Sequence, residues 1–238
     1  MSNIINPYRY AGGGGGGFSN DYSVEFDGVD QYCDLGFVTP AETEFTWSAW
    51  IKTTDESGCL VGEIDSGGTN ASTRGGILWS DSYWYFTMGD GTTYDYDNST
   101  NSAESILDGE WHHVAKVIAG YDQTIYVDGI EDCYWTSSIE AGTEGTNNLS
   151  VGAWSGSFWF CDGKIDEVAF FTSALDSFDI EAIYNAGVPD SLSSYSPYGW
   201  WRMGDINSGS GTTIADQGSA GNDGTLTNSP SYSSDVPS

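Results

Sequence analysis

Short apolar runs that alternate with polar residues recur along most of this chain, and a chain patterned in this way folds into strands rather than helices. They fall at residues 22–26, 45–51, 76–79, 83–88, 111–118, 124–127, 149–153 and 164–171. In Phe45-Thr-Trp-Ser-Ala-Trp-Ile51 every odd position is apolar, the period of a half-buried strand, and Trp50 breaks the alternation and faces the other side. Six Asp-Gly pairs, at 27–28, 90–91, 108–109, 128–129, 162–163 and 223–224, lie among the runs. This dipeptide accepts the positive φ of hairpin turns, so antiparallel connections are expected. One segment departs from the pattern. Asp176 or Ser177 can cap a helix with Phe178, Ile180, Ile183 and Tyr184 on its apolar face, and Gly187 followed by Pro189 stops it.

Charge narrows the function classes. Six Lys plus Arg against 35 Asp plus Glu leave a net charge of −29, which repels phosphate backbones and anionic lipid alike. Nucleic acid and membrane are therefore not expected partners. No run approaches the roughly 20 apolar residues of a membrane helix, and the first ten residues lack a signal-peptide core, so the chain is expected to stay in the cell or to leave by another route. Cys33, Cys59, Cys133 and Cys161 form no C-x-x-C pair, which argues against zinc and thioredoxin-type chemistry. Buried free thiols and one or two bridges both stay open.

At 238 residues and 25.6 kDa the chain suits one all-β domain with extensions. Residues 1–17 read as an arm and joint: Gly12–Gly17 is an unbroken glycine run, and Ile4, Ile5, Tyr8, Arg9 and Tyr10 ahead of it are too apolar for a mere spacer and are expected to dock on another subunit. Residues 18–190 hold the strand runs and the helix, and 191–238 form a polar C-terminal segment with one clear strand.

In order along the chain, Ser23-Val-Glu-Phe-Asp-Gly-Val-Asp-Gln-Tyr32, the Phe45–Ile51 run, Asp108-Gly-Glu-Trp-His-His-Val-Ala115, Ile125-Tyr-Val-Asp-Gly129, Leu149-Ser-Val-Gly152 and Gly163-Lys-Ile-Asp-Glu-Val-Ala169 resemble the laminin-G-like branch of the concanavalin A-like lectin and glucanase fold. The resemblance covers roughly residues 22–187 and includes the short helix. It implies a two-sheet antiparallel jelly-roll sandwich. Nothing like the family's usual opening unit precedes Val24, whereas Trp200-Trp-Arg-Met and Thr213–Leu226 are similar to it. The order is therefore that of a circular permutation, or of the start of a truncated second copy. Permutation is favoured because residues 199–238 alone cannot bury a core, and they are expected to complete the sandwich of their own or a neighbouring subunit.

Hydrolysis of a glycoside on this fold needs paired carboxylates, as in the family pattern Glu-x-Asp-x-x-Glu. The nearest match, Glu63-Ile-Asp65, meets Gly68 where the acid belongs, and Asp166 and Glu167, as strand neighbours, are expected to point apart. Neighbouring His112 and His113 read as packing residues. No catalysis is expected, and a glucanase-type hydrolase stands as the second alternative. An Asp-, Asn- and Gly-rich loop can present oxygens to Ca²⁺. The resemblance implies such an ion at Asp216, Asn222 and Asp223, with Asp166 nearby. For sugar stacking the candidate rings are Trp79, Tyr83, Trp84, Trp154 and Trp159, with Asp81, Asp90 and Asn147 beside them. The opening residues, glycine run and scarcity of lysine are also similar to virion structural proteins of marine tailed phages. That second resemblance implies a decoration or fibre protein, localised to the virion. It would be held by its arm to capsid or tail proteins, be homo-oligomeric, and adhere to a host-surface glycan. A secreted, extracellular carbohydrate-binding module is the first alternative.

Overall fold

In a computed structural model the described residues are 18–36, 40, 42–63, 76–90, 92–97, 101–141, 149–154 and 158–238. The arm residues Ile4, Ile5, Tyr8, Arg9 and Tyr10, the glycine run, Asp65 and Asn147 lie outside them. The strands are β1 (Ser23–Asp27), β2 (Tyr32–Asp34), β3 (Glu44–Thr53), β4 (Gly58–Glu63), β5 (Ile77–Ser80), β6 (Tyr83–Trp84), β7 (Phe86–Gly89), β8 (Tyr94–Asp97) and β9 (His112–Ala119). They continue with β10 (Asp122–Val127), β11 (Ile130–Thr136), β12 (Leu149–Val151), β13 (Asp162–Phe171), β14 (Gly199–Trp201), β15 (Thr213–Ile214), β16 (Gly224–Thr227) and β17 (Ser231–Ser233). One α-helix, α1 (Ser177–Tyr184), follows β13.

Two large antiparallel sheets face each other. The first runs β11-β10-β9-β3-β13-β1-β17, with β14 also on β13, and the second runs β15-β16-β2-β12-β4-β5-β6. β7 and β8 form a separate hairpin. The chain is an all-β sandwich because alternate residues of both sheets are apolar and meet in one core: Phe26, Phe45, Trp47, Ile51, Val114, Ile118 and Phe170 from the first, Cys33, Val61, Ile77, Trp79, Trp84 and Val151 from the second. All four cysteines are free and buried.

The C-terminal segment joins both sheets of its own chain. β14 pairs with β13, β16 with β2, and β17 with β1. β1 and β14 divide a single edge of β13, β1 taking residues 162–165 and β14 residues 168–170. Between them β13 carries a bulge across Asp166–Ala169, where Glu167 has φ 48°.

The Asp-Gly pairs do less turning than their number predicts. Among the described residues only Asp128-Gly129, with φ of 51° and 78°, closes a two-residue hairpin, between β10 and β11. A Cβ on Gly129 would also lie 3.1 Å from Tyr184 on α1. Gly163 and Gly224 sit inside strands instead.

Asp176 caps α1 by accepting from the Phe178 and Asp179 amides, and left-handed Asn185 ends it, two residues before Gly187. Ile180 packs on Ala115, Val117 and Tyr126, and Ile183 on Ala169, Phe171 and Trp200. The Trp50 ring stacks on Tyr184 at 5.8 Å, so its break in the alternation is explained by a helix covering that outer face. Phe178, expected on the helix's apolar face, is 78% exposed instead. With α1 over the first sheet, the second sheet keeps an outer face of its own.

Candidate functional site

Five aromatic rings form a continuous strip beside the outer face of the second sheet. Trp154 meets Trp159 edge to face at 5.7 Å, Trp159 meets Tyr85 at 5.3 Å, Tyr85 stacks on Tyr96 at 5.9 Å, and Tyr96 stacks on Tyr94 at 5.6 Å. Alternation places them. Ile77 and Trp79 of β5 point into the core, so Leu78 points out and forms, with Cys59 and Trp154, a small apolar floor against which Tyr85 and Trp159 pack. On β8 the sequence Tyr94-Asp-Tyr-Asp97 puts both rings on one side and both carboxylates on the other. Tyr96 is 54% exposed, and Phe158, whose backbone pairs with Trp154, is 67% exposed. Burial and the neighbouring Tyr85 hydroxyl push the Tyr94 phenol well above its ordinary range, so it stays a hydrogen-bond donor at any physiological pH.

The candidate rings divide accordingly. Trp159 belongs to the strip, and Trp154 supports it edge to face from the buried floor at 6% exposure, without an open face of its own. Trp79 and Trp84 are corrected: they lie in the sandwich core, with Trp79 Nε1 donating to the Asp55 carbonyl at 2.8 Å and Trp84 Nε1 to Asp132 Oδ2 at 2.7 Å, and rings so enclosed have no face for a sugar. Tyr83 is exposed on β6, but no ring contact links it to the strip among the described residues. Tyr85, Tyr94, Tyr96 and Phe158 were missed, although the ring–carboxylate alternation of 94–97 was a readable signal.

Carboxylates beside the strip are committed to holding backbone. Asp90 accepts from the Thr93 and Thr92 amides and the Thr93 hydroxyl, which hold its carboxyl below the usual range. Asp95 accepts from Ser137 and Ser138, and although burial pushes it up, these bonds hold it below the usual range too. Both are poor proton donors near neutrality. Asp81, in the turn before β6, is exposed and left-handed at φ 53°.

The two histidines sit at one end of β9 on the other sheet. His113 is buried, with Nε2 at 2.8 Å from Ser48 Oγ, while Asp128 accepts from the His113 backbone amide rather than from its ring. The grouping therefore lacks the carboxylate-to-ring bond of a catalytic triad. His112 lies between Asp128 and Asp108, at 2.8 and 3.1 Å.

The expected calcium ligands separate into two places. Asp216 accepts from the Trp200, Gly218 and Asn222 amides, and Asp223 accepts from the Asp216 amide. Asp216, with both oxygens bonded to backbone, knits the loop together, and only Asp223 Oδ2 stays uncommitted, a poor donor set for a cation. Asp166 belongs to another cluster, with Glu167, Asp205 and Asn20. The bulge of β13 turns Asp166 and Glu167 into one buried cluster, which corrects the expectation that they point apart. Glu167 accepts from Trp200 Nε1 at 2.6 Å and Arg202 Nε at 2.9 Å, and burial pushes its carboxyl up to about 7 despite Arg202. Burial, with Glu167 beside it, raises Asp166 well above the carboxylate range. Asp166 Oδ2 and Asn20 Oδ1 have no close hydrogen-bond partner, while the Asn20 side chain lies against the Asp166 carboxylate and tempers its rise. Unspent buried oxygens of this type fit a hard, oxygen-seeking cation. Among the described residues no group of three or more His, Cys, Asp or Glu is arranged to hold a metal.

Comparison with known proteins agrees with this architecture. The family model described as the concanavalin A-like lectin/glucanases superfamily, of laminin-G type, matches residues 27–181. No curated protein sequence matches the chain. Among solved structures, a Bacteroides ovatus protein whose carbohydrate binding is inferred superposes with a TM-score of 0.64 at 17% identity over 92% of this chain, which spans 62% of that protein's length. The CBM40 domain of the Ruminococcus gnavus IT-sialidase superposes with a TM-score of 0.55 at 14% identity, covering 70% of this chain and 99% of that one. At these identities the likeness is one of fold.

Proposed function

The chain belongs to the concanavalin A-like lectin/glucanase superfamily, and we propose that it acts there as a non-catalytic adhesion domain binding a glycan on the rings Trp159–Tyr85–Tyr96–Tyr94, with buried Trp154 as their floor. The strip carries the reading. Apolar sugar faces stack on aromatic rings, and phenol hydroxyls and carbonyls supply the directional bonds that choose among sugars. The Ruminococcus gnavus domain has been solved bound to α2,3 sialyllactose, so this fold supports sugar binding in a relative. A non-catalytic role is supported by Asp90 and Asp95, whose bonds to backbone and serine hydroxyls keep them from serving as a proton donor.

Calcium, in this reading, belongs at Asp166 and Asn20 rather than at Asp216 and Asp223. A bound cation would neutralise the buried Asp166 carboxylate and tie the Asn20 segment to β13. Display on a virion, with residues 1–17 as the anchor to capsid or tail proteins, is proposed on sequence grounds alone. Binding of the whole chain to a glycan array, weakened severalfold in Tyr96→Ala and Trp159→Ala variants that unfold at the normal temperature, tests the site. Unchanged binding by both variants overturns it.

A further inference from the structure

We propose that β17 and the Asp235 carboxylate form an exchangeable plug, and that the socket they fill accepts the same segment of a second copy of this chain. Lys52 on β3 and Lys164 on β13 are direct cross-strand partners. Two ammonium groups placed opposite each other repel, and they need an anion between them. Asp235 provides it: Oδ2 accepts from Lys164 Nζ at 2.7 Å and lies 3.1 Å from Lys52 Nζ, while Oδ1 accepts from Trp111 Nε1 at 3.0 Å and Lys52 Nζ at 3.5 Å. The Ser23 hydroxyl donates to the Asp235 carbonyl at 2.7 Å. The other two described cations are spent elsewhere, Lys116 in the core and Arg202 on Glu167 and Asp205. Among the described residues this lysine pair is therefore the one cationic patch at the surface of a chain with net charge −29.

The plug is short and its tether is strained. β17 adds to the edge of β1 through Ser231, Tyr232 and Ser233, and the Tyr232 hydroxyl accepts from Asn207. Ahead of it, Asn228 and Ser229 have φ of 60° and 62°, two successive left-handed residues without a glycine, followed by Pro230. Such a reversal carries backbone strain that an extended connection releases, and a strained short hinge before a short edge strand favours exchange between copies. Asn228 stays fixed through its Nδ2 on the Asp30 carbonyl at 2.7 Å, so the swing begins after it. Every contact made within one chain is available to the identical segment of another, and the socket welcomes a carboxylate on an otherwise acidic surface.

Glu25 and Ser231 are cross-strand partners, which gives a covalent test. A chain carrying both Glu25→Cys and Ser231→Cys reports closure within one copy; a mixture of the two single variants can cross-link through this pair only by exchange. The expected result is a disulfide-linked dimer in the oxidised mixture, in excess over either single variant alone and lost when Asp235→Lys is added. A mixture that stays monomeric while the double variant closes within its own chain overturns the proposal. Sedimentation of the unmodified chain over a wide concentration range is the second reading. A reversible dimer that Asp235→Lys abolishes supports exchange, and a monomer throughout refutes it.

Discussion

Tyr85 and Trp159 meet ring to ring at 5.3 Å and 57°, joining the strand region after β6 to the loop after β12. This contact joins the pair Trp154–Trp159 to the trio Tyr85–Tyr96–Tyr94 in one strip, so a sugar held there is shared between segments far apart in sequence. Truncating an exposed or half-exposed ring removes stacking worth about 1 kcal/mol, roughly a fivefold rise in Kd. Calorimetric titration with an array-selected glycan is expected to show that loss for Tyr96→Ala and for Trp159→Ala. Phe178→Ala, on exposed α1 against the other sheet, is expected to leave the affinity unchanged.

Lys116 is the least comfortable residue of the core. Its Nζ donates to the Gly76 carbonyl at 2.8 Å and lies 5.2 Å over the Phe86 ring, and burial brings its pKa down to about 7. A lysine with a lowered folded pKa contributes stability above its unfolded value of 10.5, and that contribution is lost as pH falls towards 7. Lys116→Met removes the amine, retains most of the volume and orphans one carbonyl, for a net gain of about 1–2 kcal/mol near neutrality. Urea unfolding at pH 7 and pH 9.5 is expected to show the variant ahead at the lower pH, with the gap narrowing at the higher one.

Periodicity made the long strands legible. The Phe45–Ile51 run predicted β3 and the odd position of Trp50, because a strand buried on both faces still alternates which neighbour each residue meets. The C-terminal strands β14, β15 and β17, of two or three residues each, are too short to show a period, and their place depends on pairing with distant β13, β16 and β1. Burial of Trp79 and Trp84 was equally hidden. Composition counts rings, whereas which face of a strand of two residues, as at Trp84, or four, as at Trp79, points inward is decided by the partner strand. The bulge at Asp166–Ala169 left no sequence signal, since Glu167 takes a left-handed φ usually left to glycine. By contrast the alternation Tyr94-Asp-Tyr-Asp97 carried a legible signal for two of the five strip rings that the sequence reading left unused.

His112 gives a second, opposite dependence on pH. The Asp128 carboxylate bonded to its ring raises its pKa above the usual 6.5, with Asp108 adding to this and burial opposing it. A raised histidine contributes stability below its unfolded value that is lost as pH climbs through the folded one. The difference in unfolding free energy between the unmodified chain and His112→Gln is expected to be of order 1 kcal/mol at pH 6 and to vanish by pH 9. The NMR titration of the His112 ring against pH is the direct check, and a midpoint at or below 6.5 contradicts it.

Calcium makes the sharpest claim about the buried acids. Asp166 Oδ2 and Asn20 Oδ1 lack close partners beside Glu167 and Asp205, which share Arg202. A cation that binds the folded chain and not the unfolded one stabilises by about 2.7 kcal/mol at a hundredfold excess over its Kd. For a chain of this length that shift raises the Tm by several degrees, about 2–4 °C per kcal/mol. Added Ca²⁺ is expected to raise the Tm and EDTA to lower it, and Asp166→Asn is expected to abolish the response while Asp216→Asn keeps it. A Ca²⁺ response that survives Asp166→Asn and is lost in Asp216→Asn would return the site to the loop at 216–223, and an equal transition with Ca²⁺ and with EDTA would remove the ion from both places.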